Sequence, residues 1–280
     1  MFSKVLITIG AGLVLFAGVL GLVRKNISPE TALKSLKTNQ KASASPAPKT
    51  INSNELTNQL DSITEKYPNL DIGIAVIDLN TGQSYTYGDK LAYYGASTTK
   101  VLVAAMYLHE VETGKRTLKD RIGGISAADR ITAMIEKSDN DAWTALRGAL
   151  GYNNMDTYAR QVGMTTFASR DNLINASDMA KLLQQLYQGE LINKANTSLL
   201  LGHMQKSIRN YIAPALGSGY TVYHKAGWLD DRLMDTAIVT NGTHKYVLVI
   251  FSKAYTGNYD FKAGADVFSY ITKTVNTALN

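Results

Sequence analysis

The chain is predicted to adopt an α+β fold, in which an antiparallel sheet built from N- and C-terminal segments is flanked by a mostly helical subdomain. Three observations carry this prediction. Strand-like segments stand early, at 71–78 and 84–87, and others stand late, at 221–228, 234–240 and 246–252. Between them, from about residue 97 to 206, apolar residues recur at helical spacing. Strands separated by a helical block pair across the chain rather than along it, which is an α+β layout.

Taken in order, Val5 to Val23 form an apolar run of 19 residues broken by no charge, preceded by Lys4 and followed by Arg24 and Lys25. As a helix at about 1.5 Å per residue the run spans about 28 Å, close to the hydrocarbon thickness of a bilayer. Gly21-Leu22-Val23-Arg24-Lys25 lacks the small residues of a cleavage site, so residues 1–25 read as a membrane anchor or signal-anchor. Residues 26–52 are polar, end in a Ser-, Ala- and Pro-rich stretch and read as a flexible linker. The folded domain is expected over 53–280, opening with Ser53 as a helix cap and Leu56, Leu60 and Ile63 at helical spacing. Asp71 to Asp78, the turn Asn80-Thr81-Gly82 and Ser84 to Tyr87 make a hairpin. Helices are expected at 98–113, 127–137, 140–150, 154–162, 176–188 and 194–206. Asn241-Gly242 supplies a tight turn between the last two strands, and a helix near 259–278 closes the domain.

Charge and composition exclude several functions. Residues 1–50 carry seven Lys/Arg and one Glu, which accounts for the whole net charge of +6 and leaves 22 basic against 22 acidic residues in 51–280. A neutral domain lacks the electrostatic footprint of nucleic-acid binding. There is no cysteine, hence no disulfide framework and no thiolate chemistry, as suits an extracytoplasmic protein. The four histidines (109, 203, 224 and 244) show no metal-ligand spacing, and neither a metal nor a cofactor is expected.

Three short motifs carry the chemistry. Ser97 and Lys100 stand three apart at the start of an apolar-periodic helix, where side chains share a face. The amine can take a proton from the hydroxyl, and a helix N-terminus favours developing negative charge. Taken by itself, the pair is better explained as an ordinary serine cap followed by a solvated lysine. Ser138-Asp139-Asn140 combines a hydroxyl able to relay a proton with an amide able to hold a substrate amide, although the same three residues are favoured helix starters. His224-Lys225-Ala226-Gly227-Trp228 places a lysine on a strand beside a glycine that lets a ligand lie close to backbone; an edge-strand lysine with a bulge glycine is the plain alternative.

Ser-x-x-Lys at 97–100, Ser-Asp-Asn at 138–140 and Lys-Ala-Gly at 225–227 occur in the order of the serine β-lactamase and penicillin-binding protein superfamily. The closest likeness is to class A β-lactamases, which residues 96–114, 137–142 and 225–239 resemble beyond the motifs themselves. The resemblance spans about 53–280 and implies a β-lactamase/transpeptidase-like fold. It implies Ser97 as the nucleophile, Lys100 as its base, Ser138 as the proton relay to the leaving nitrogen with help from Lys225, and Asn140 as the holder of the substrate amide. Ala226, Gly227 and Trp228 would form the substrate-facing strand, with the N–H groups of Ser97 and Trp228 as the oxyanion hole. The implied partners are a β-lactam or a peptidoglycan peptide, met by a monomeric domain anchored through residues 5–23, or secreted if that segment is cleaved.

Two departures limit the resemblance. Class A enzymes use a loop glutamate to activate the deacylating water, yet 163–174 holds none, and Thr144 stands where the family usually has asparagine. Asp171 is the one candidate substitute, against its plain reading as a turn carboxylate. Ala226 also replaces a Thr or Ser whose hydroxyl holds the substrate carboxylate, a bond worth about 1.5–3 kcal/mol. Acylation at Ser97 with slow β-lactam turnover is therefore the expectation. The alternatives are a D,D-peptidase or a non-catalytic cell-wall-binding module.

Overall fold

The computed structural model describes residues 50–89 and 92–280. The expected anchor at 1–25, and the linker up to residue 49, lie outside the described residues. Among the described residues no helix is long and apolar enough to cross a membrane.

The fold begins slightly before residue 53. Ile51 is buried, and its N–H and C=O bond the Gln83 side chain at 2.8 and 3.1 Å. Asn52, not Ser53, caps the first helix, α1 (Ser53–Thr64), because Asn52 has the extended backbone of a cap and its side chain accepts from Glu55 N–H. Strands β1 (Leu70–Asp78) and β2 (Ser84–Tyr87) form the expected hairpin. The helical block holds α2 (Lys100–Glu112), α3 (Ala127–Glu136), α4 (Asn140–Leu150), α5 (Tyr152–Gln161), α6 (Ala176–Gln188) and α7 (Lys194–Gln205). Two short antiparallel pairs are threaded through it: β3 (Tyr93–Tyr94) with β6 (Leu173–Ile174), and β4 (Arg121–Ile122) with β5 (Ile125–Ser126). A single 3-10 turn, Ala213–Ala215, leads to β7 (Thr221–Leu229), β8 (Arg232–Thr240) and β9 (Lys245–Ala254), and α8 (Phe261–Leu279) ends the chain.

The main sheet has the order β2-β1-β9-β8-β7 with every neighbour antiparallel, so the strand nearest the C-terminus lies beside the first. The β8–β9 connection is a four-residue loop, Asn241 to His244, which Asn241-Gly242 opens. The Asn241 carboxamide accepts from Thr243 and His244 N–H, which stabilises the loop.

Period-two alternation divides the sheet between two cores. On β1 and β9, Ala75, Ile77, Val247, Val249 and Phe251 face the helical block. Ile72, Ile74, Val76, Leu248 and Ile250 face the layer of α1 and α8, packing with Leu60, Phe268 and Ile271. Burying one such side chain stabilises by roughly 1.5–3 kcal/mol. Helix α2 runs through the middle of the helical core and is buried on every side from Lys100 to Leu108. A lysine at the head of so apolar a helix has been drawn out of water, and the reason lies at its tip.

Candidate active site

Ser97 lies in a tight turn rather than in the first turn of an α-helix. Thr98 N–H bonds Gly95 C=O at 3.1 Å, Lys100 N–H bonds Ser97 C=O at 3.4 Å and Val101 N–H bonds Thr98 C=O at 3.2 Å. Residues three apart eclipse in such a turn, so Ser97 and Lys100 stay on one side as their spacing requires. The turn opens into a cleft of about 470 Å³ between the helical block and the end of β7. Ser97, Ser138, Asn140 and Trp228 line it, with Tyr94 and Trp143 as further aromatic wall.

Lys100 is buried, and its Nζ donates to Ser138 C=O at 2.6 Å, Asn140 Oδ1 at 2.8 Å and Ser138 Oγ at 3.3 Å. Burial lowers its pKa to about 8, against the opposing pull of Asp139, which leaves about a tenth of the amine neutral at pH 7. A neutral amine keeps two N–H bonds for Ser138 C=O and Asn140 Oδ1 and has its lone pair free for a hydroxyl proton. Lys225 is likewise fully buried; its Nζ donates to Ser138 Oγ at 3.0 Å and to Ala226 C=O at 3.0 Å. Desolvation and then the Lys100 charge lower its pKa to about 7. Ser138 Oγ therefore bridges two lysines, each held where a proton moves easily near neutral pH.

Local sequence explains how the second motif reaches both. Asp139 is the N-cap of α4, its side chain accepting from Ala142 N–H at 2.6 Å. The capping role of Ser-Asp-Asn is real, but it falls on the middle residue and leaves Ser138 and Asn140 free to meet Lys100. Ser138 adopts a left-handed backbone, φ 59°, to do so. All four non-glycine residues of positive φ among the described residues border this site: Ala96 beside the nucleophile, Ser138, Asn172 behind the nucleophile turn, and Arg209 stacked on Trp228 at 3.9 Å. Such residues cost of order 1–3 kcal/mol each and persist where the surroundings over-determine them.

Gly227 is required by close approach. A Cβ there would stand 2.7 Å from Ser97 N, 2.9 Å from Ala96 Cβ and 3.3 Å from Thr98 N. Only glycine lets β7 lie against the nucleophile turn, which brings the backbone before Trp228 up to Ser97. Ala226 is fully buried and, like Lys225 and Gly227, is not part of the cleft lining.

The loop between α5 and α6 contributes no side chain to the cleft among the described residues. Asp171 is exposed on it and is not among the residues that line the cleft. Thr144 does line the cleft. The carboxylate there is Asp230, exposed on the β7–β8 turn. Among the described residues no cluster of three His, Cys, Asp or Glu could hold a metal. His224 is structural: its Nε2 faces Ser207 C=O at 3.0 Å and its Nδ1 faces Asp235 at 3.1 Å, deep in the domain.

Two residues of the site escape sequence reasoning. Trp143 packs between Lys100 Nζ, 5.7 Å from its ring centroid, and the guanidinium of Arg147 at 4.1 Å. Its helical spacing from Asn140 places it on the same face of α4, the one signal that could have found it. Asn172 bonds the nucleophile turn from a loop more than seventy residues away, and no local pattern announces it.

A hydroxyl at the mouth of a cleft, two buried lysines joined through a second hydroxyl, and a five-stranded antiparallel sheet against a helical block define a class of α+β hydrolase. A sequence profile of the beta-lactamase enzyme family matches residues 55–279, and the chain belongs to that family. No curated protein matches it in sequence. Among solved structures, PBP-A superposes with a TM-score of 0.75 at 23% identity, covering 83% of this chain and 98% of that one. A single-residue variant of PBP-A, solved as an acyl-enzyme complex with penicillin G, gives 0.74 at 23% with the same coverage. A beta-lactamase from Xanthomonas campestris gives 0.75 at 18%, covering 82% of this chain and all of that one. At these identities the likeness establishes the fold, which is β-lactamase/transpeptidase-like.

Proposed function

We propose that this protein is a serine hydrolase of the class A β-lactamase-like type, acylated at Ser97 by β-lactams or by cell-wall-like amides and deacylated slowly. The observation that carries the reading is the continuous hydrogen-bonded path Lys100–Ser138–Lys225 at the cleft that Ser97 lines. Neutral Lys100 takes the Ser97 proton as Oγ attacks the carbonyl carbon. The N–H groups of Ser97 and Trp228 receive the oxyanion, and each such donor is worth about 2.7–4 kcal/mol in the transition state. Ser138 Oγ passes its proton to the leaving nitrogen and is reprotonated from the lysine pair. The C–N bond then breaks, leaving an ester on Ser97 and a neutral amine. Asn140 holds the substrate's side-chain amide.

Release is the slow step because no carboxylate of the 163–174 loop reaches the cleft to activate water. That favours a second reading within the same chemistry, a D,D-peptidase on peptidoglycan peptides, in which a β-lactam acts as a trap. The PBP-A variant caught as a penicillin G acyl-enzyme supports the view that this fold accommodates such an adduct. The apolar run at 5–23 supports an extracytoplasmic domain tethered to the membrane.

The test is labelling with a fluorescent penicillin alongside turnover of a chromogenic cephalosporin. Label that survives denaturation, is absent from Ser97→Ala and outlasts many catalytic cycles of a class A enzyme supports the proposal. Rapid steady turnover would contradict the slow-release part, and label retained by Ser97→Ala would remove Ser97 as nucleophile.

A further inference from the structure

We infer that Asn172 is the positioning residue of the nucleophile turn, so that the loop, which holds no glutamate, serves to aim Ser97. The inference rests on the function proposed for Ser97. Three bonds converge on Asn172 from both sides of the nucleophile. Its backbone C=O accepts from Gly95 N–H at 2.7 Å. Its Nδ2 donates to Ala96 C=O at 2.9 Å, and its Oδ1 accepts from Thr99 Oγ1 at 2.6 Å. Residues 95, 96 and 99 thus bracket Ser97, and one buried side chain fixes the carbonyl before it and the hydroxyl after it.

Strain gives the clamp its purpose. Ala96 has φ 46°, a left-handed conformation that a Cβ-bearing residue leaves unless held, and Asn172 itself has φ 52°. Asparagine tolerates that region better than other side chains and also supplies one donor and one acceptor, so its identity answers both demands. Pairing of β3 with β6 brings the loop to the turn, and Gly95 clears the way, since a Cβ there would meet Thr99 Cγ2 at 2.7 Å and Ile174 Cγ2 at 2.8 Å. Asn172 is not part of the cleft lining and acts only through the backbone it holds.

Three variants test this. Asn172→Gly keeps the positive φ and removes the side chain; Thr99→Val removes the donor at the far end of one bond; Asn172→Asp keeps that bond and loses the donor to Ala96. Acylation by fluorescent penicillin is resolved into a binding constant and a first-order acylation constant, and amide hydrogen exchange is read over residues 95–101. Misplacing a reacting group by about 1 Å can cost about a hundredfold, so Asn172→Gly is expected to lower the acylation constant by about that factor while binding stays within about twofold. Thr99→Val should fall in part, the double variant with Asn172→Gly should fall no further than Asn172→Gly alone, and Asn172→Asp should recover part of the loss. Exchange over 95–101 should quicken in Asn172→Gly. The inference is overturned if Asn172→Gly acylates within about threefold of the wild type, or if exchange over 95–101 is unchanged. If Asn172→Gly does not fold, Thr99→Val decides by the same two readings. A wild type that takes no label refutes the function proposed for Ser97, and the exchange measurement then decides on its own whether Asn172 holds the turn.

Discussion

Replacing Gly227 by alanine is expected to disable acylation while leaving the fold intact. The added Cβ would stand 2.7 Å from Ser97 N and 3.3 Å from Thr98 N, both backbone atoms that no rotamer change can move aside. Ordinary contact begins near 3.4 Å, so β7 and the nucleophile turn must part by about 0.7 Å. β7 is an edge strand and can yield outward, at the 1–3 kcal/mol typical of overpacking, or about a few degrees of Tm in a domain of this size. The displacement falls on the N–H groups of Ser97 and Trp228, the proposed oxyanion hole. Losing one such donor costs about 10²–10³ in rate, so the acylation constant for a fluorescent penicillin should fall by about a hundredfold. Gly202→Ala is the control: nothing lies within 4 Å of its added Cβ on α7, so it should raise Tm slightly and leave acylation unchanged. Acylation of Gly227→Ala within about threefold of the wild type, with Tm unchanged, would refute the reasoning, since the backbone would then have absorbed the methyl without moving the site.

Further predictions concern the lysine pair. Acylation needs Lys100 neutral, so its rate rises as pH approaches about 8, and needs Lys225 charged, so it falls as pH passes about 7. The profile should be a bell centred at about 7.5, and Lys225→Arg, whose guanidinium does not titrate, should lose the alkaline limb. Stability should rise with pH over the same range: from about 7 upward the unfolded chain keeps the Lys225 proton that the folded protein has released, so deprotonation favours folding. Thermal melts from pH 6 to 9 should show Tm increasing, with a shallower slope in Lys225→Met. Ser138→Ala removes the hydroxyl between the lysines and should slow acylation by about 10²–10⁴, the range of a lost proton-transfer group, with binding little changed.

The sheet was legible because its strands are long and its cores are separated by simple alternation, as in Ile72, Ile74 and Val76 against Ala75 and Ile77. Six central helices were placed within two residues of their ends, since apolar residues recur along them at helical spacing. What escaped was short or distant. Two-residue strands such as Tyr93–Tyr94 carry no periodicity, and the first turn at Ser97 is tightened by tertiary bonds that helix propensity does not register. At the site, the motif residues 97, 100, 138, 140 and 225 converge as their order suggested. The clamp at Asn172 did not show, because its three bonds go to residues remote in sequence and its neighbours read as an ordinary loop. Asp171 attracted attention for its charge, yet the charge is on the solvent side while the uncharged residue after it touches the machinery.

The most direct test of the central claim is a mass-spectrometric time course of the intact protein with benzylpenicillin, followed by peptide mapping of the adduct. A mass increase of one intact penicillin, localised to Ser97 and persisting long after free drug is removed, is the predicted result. An unmodified protein under conditions that label a control penicillin-binding protein, or an adduct mapped elsewhere, would contradict it.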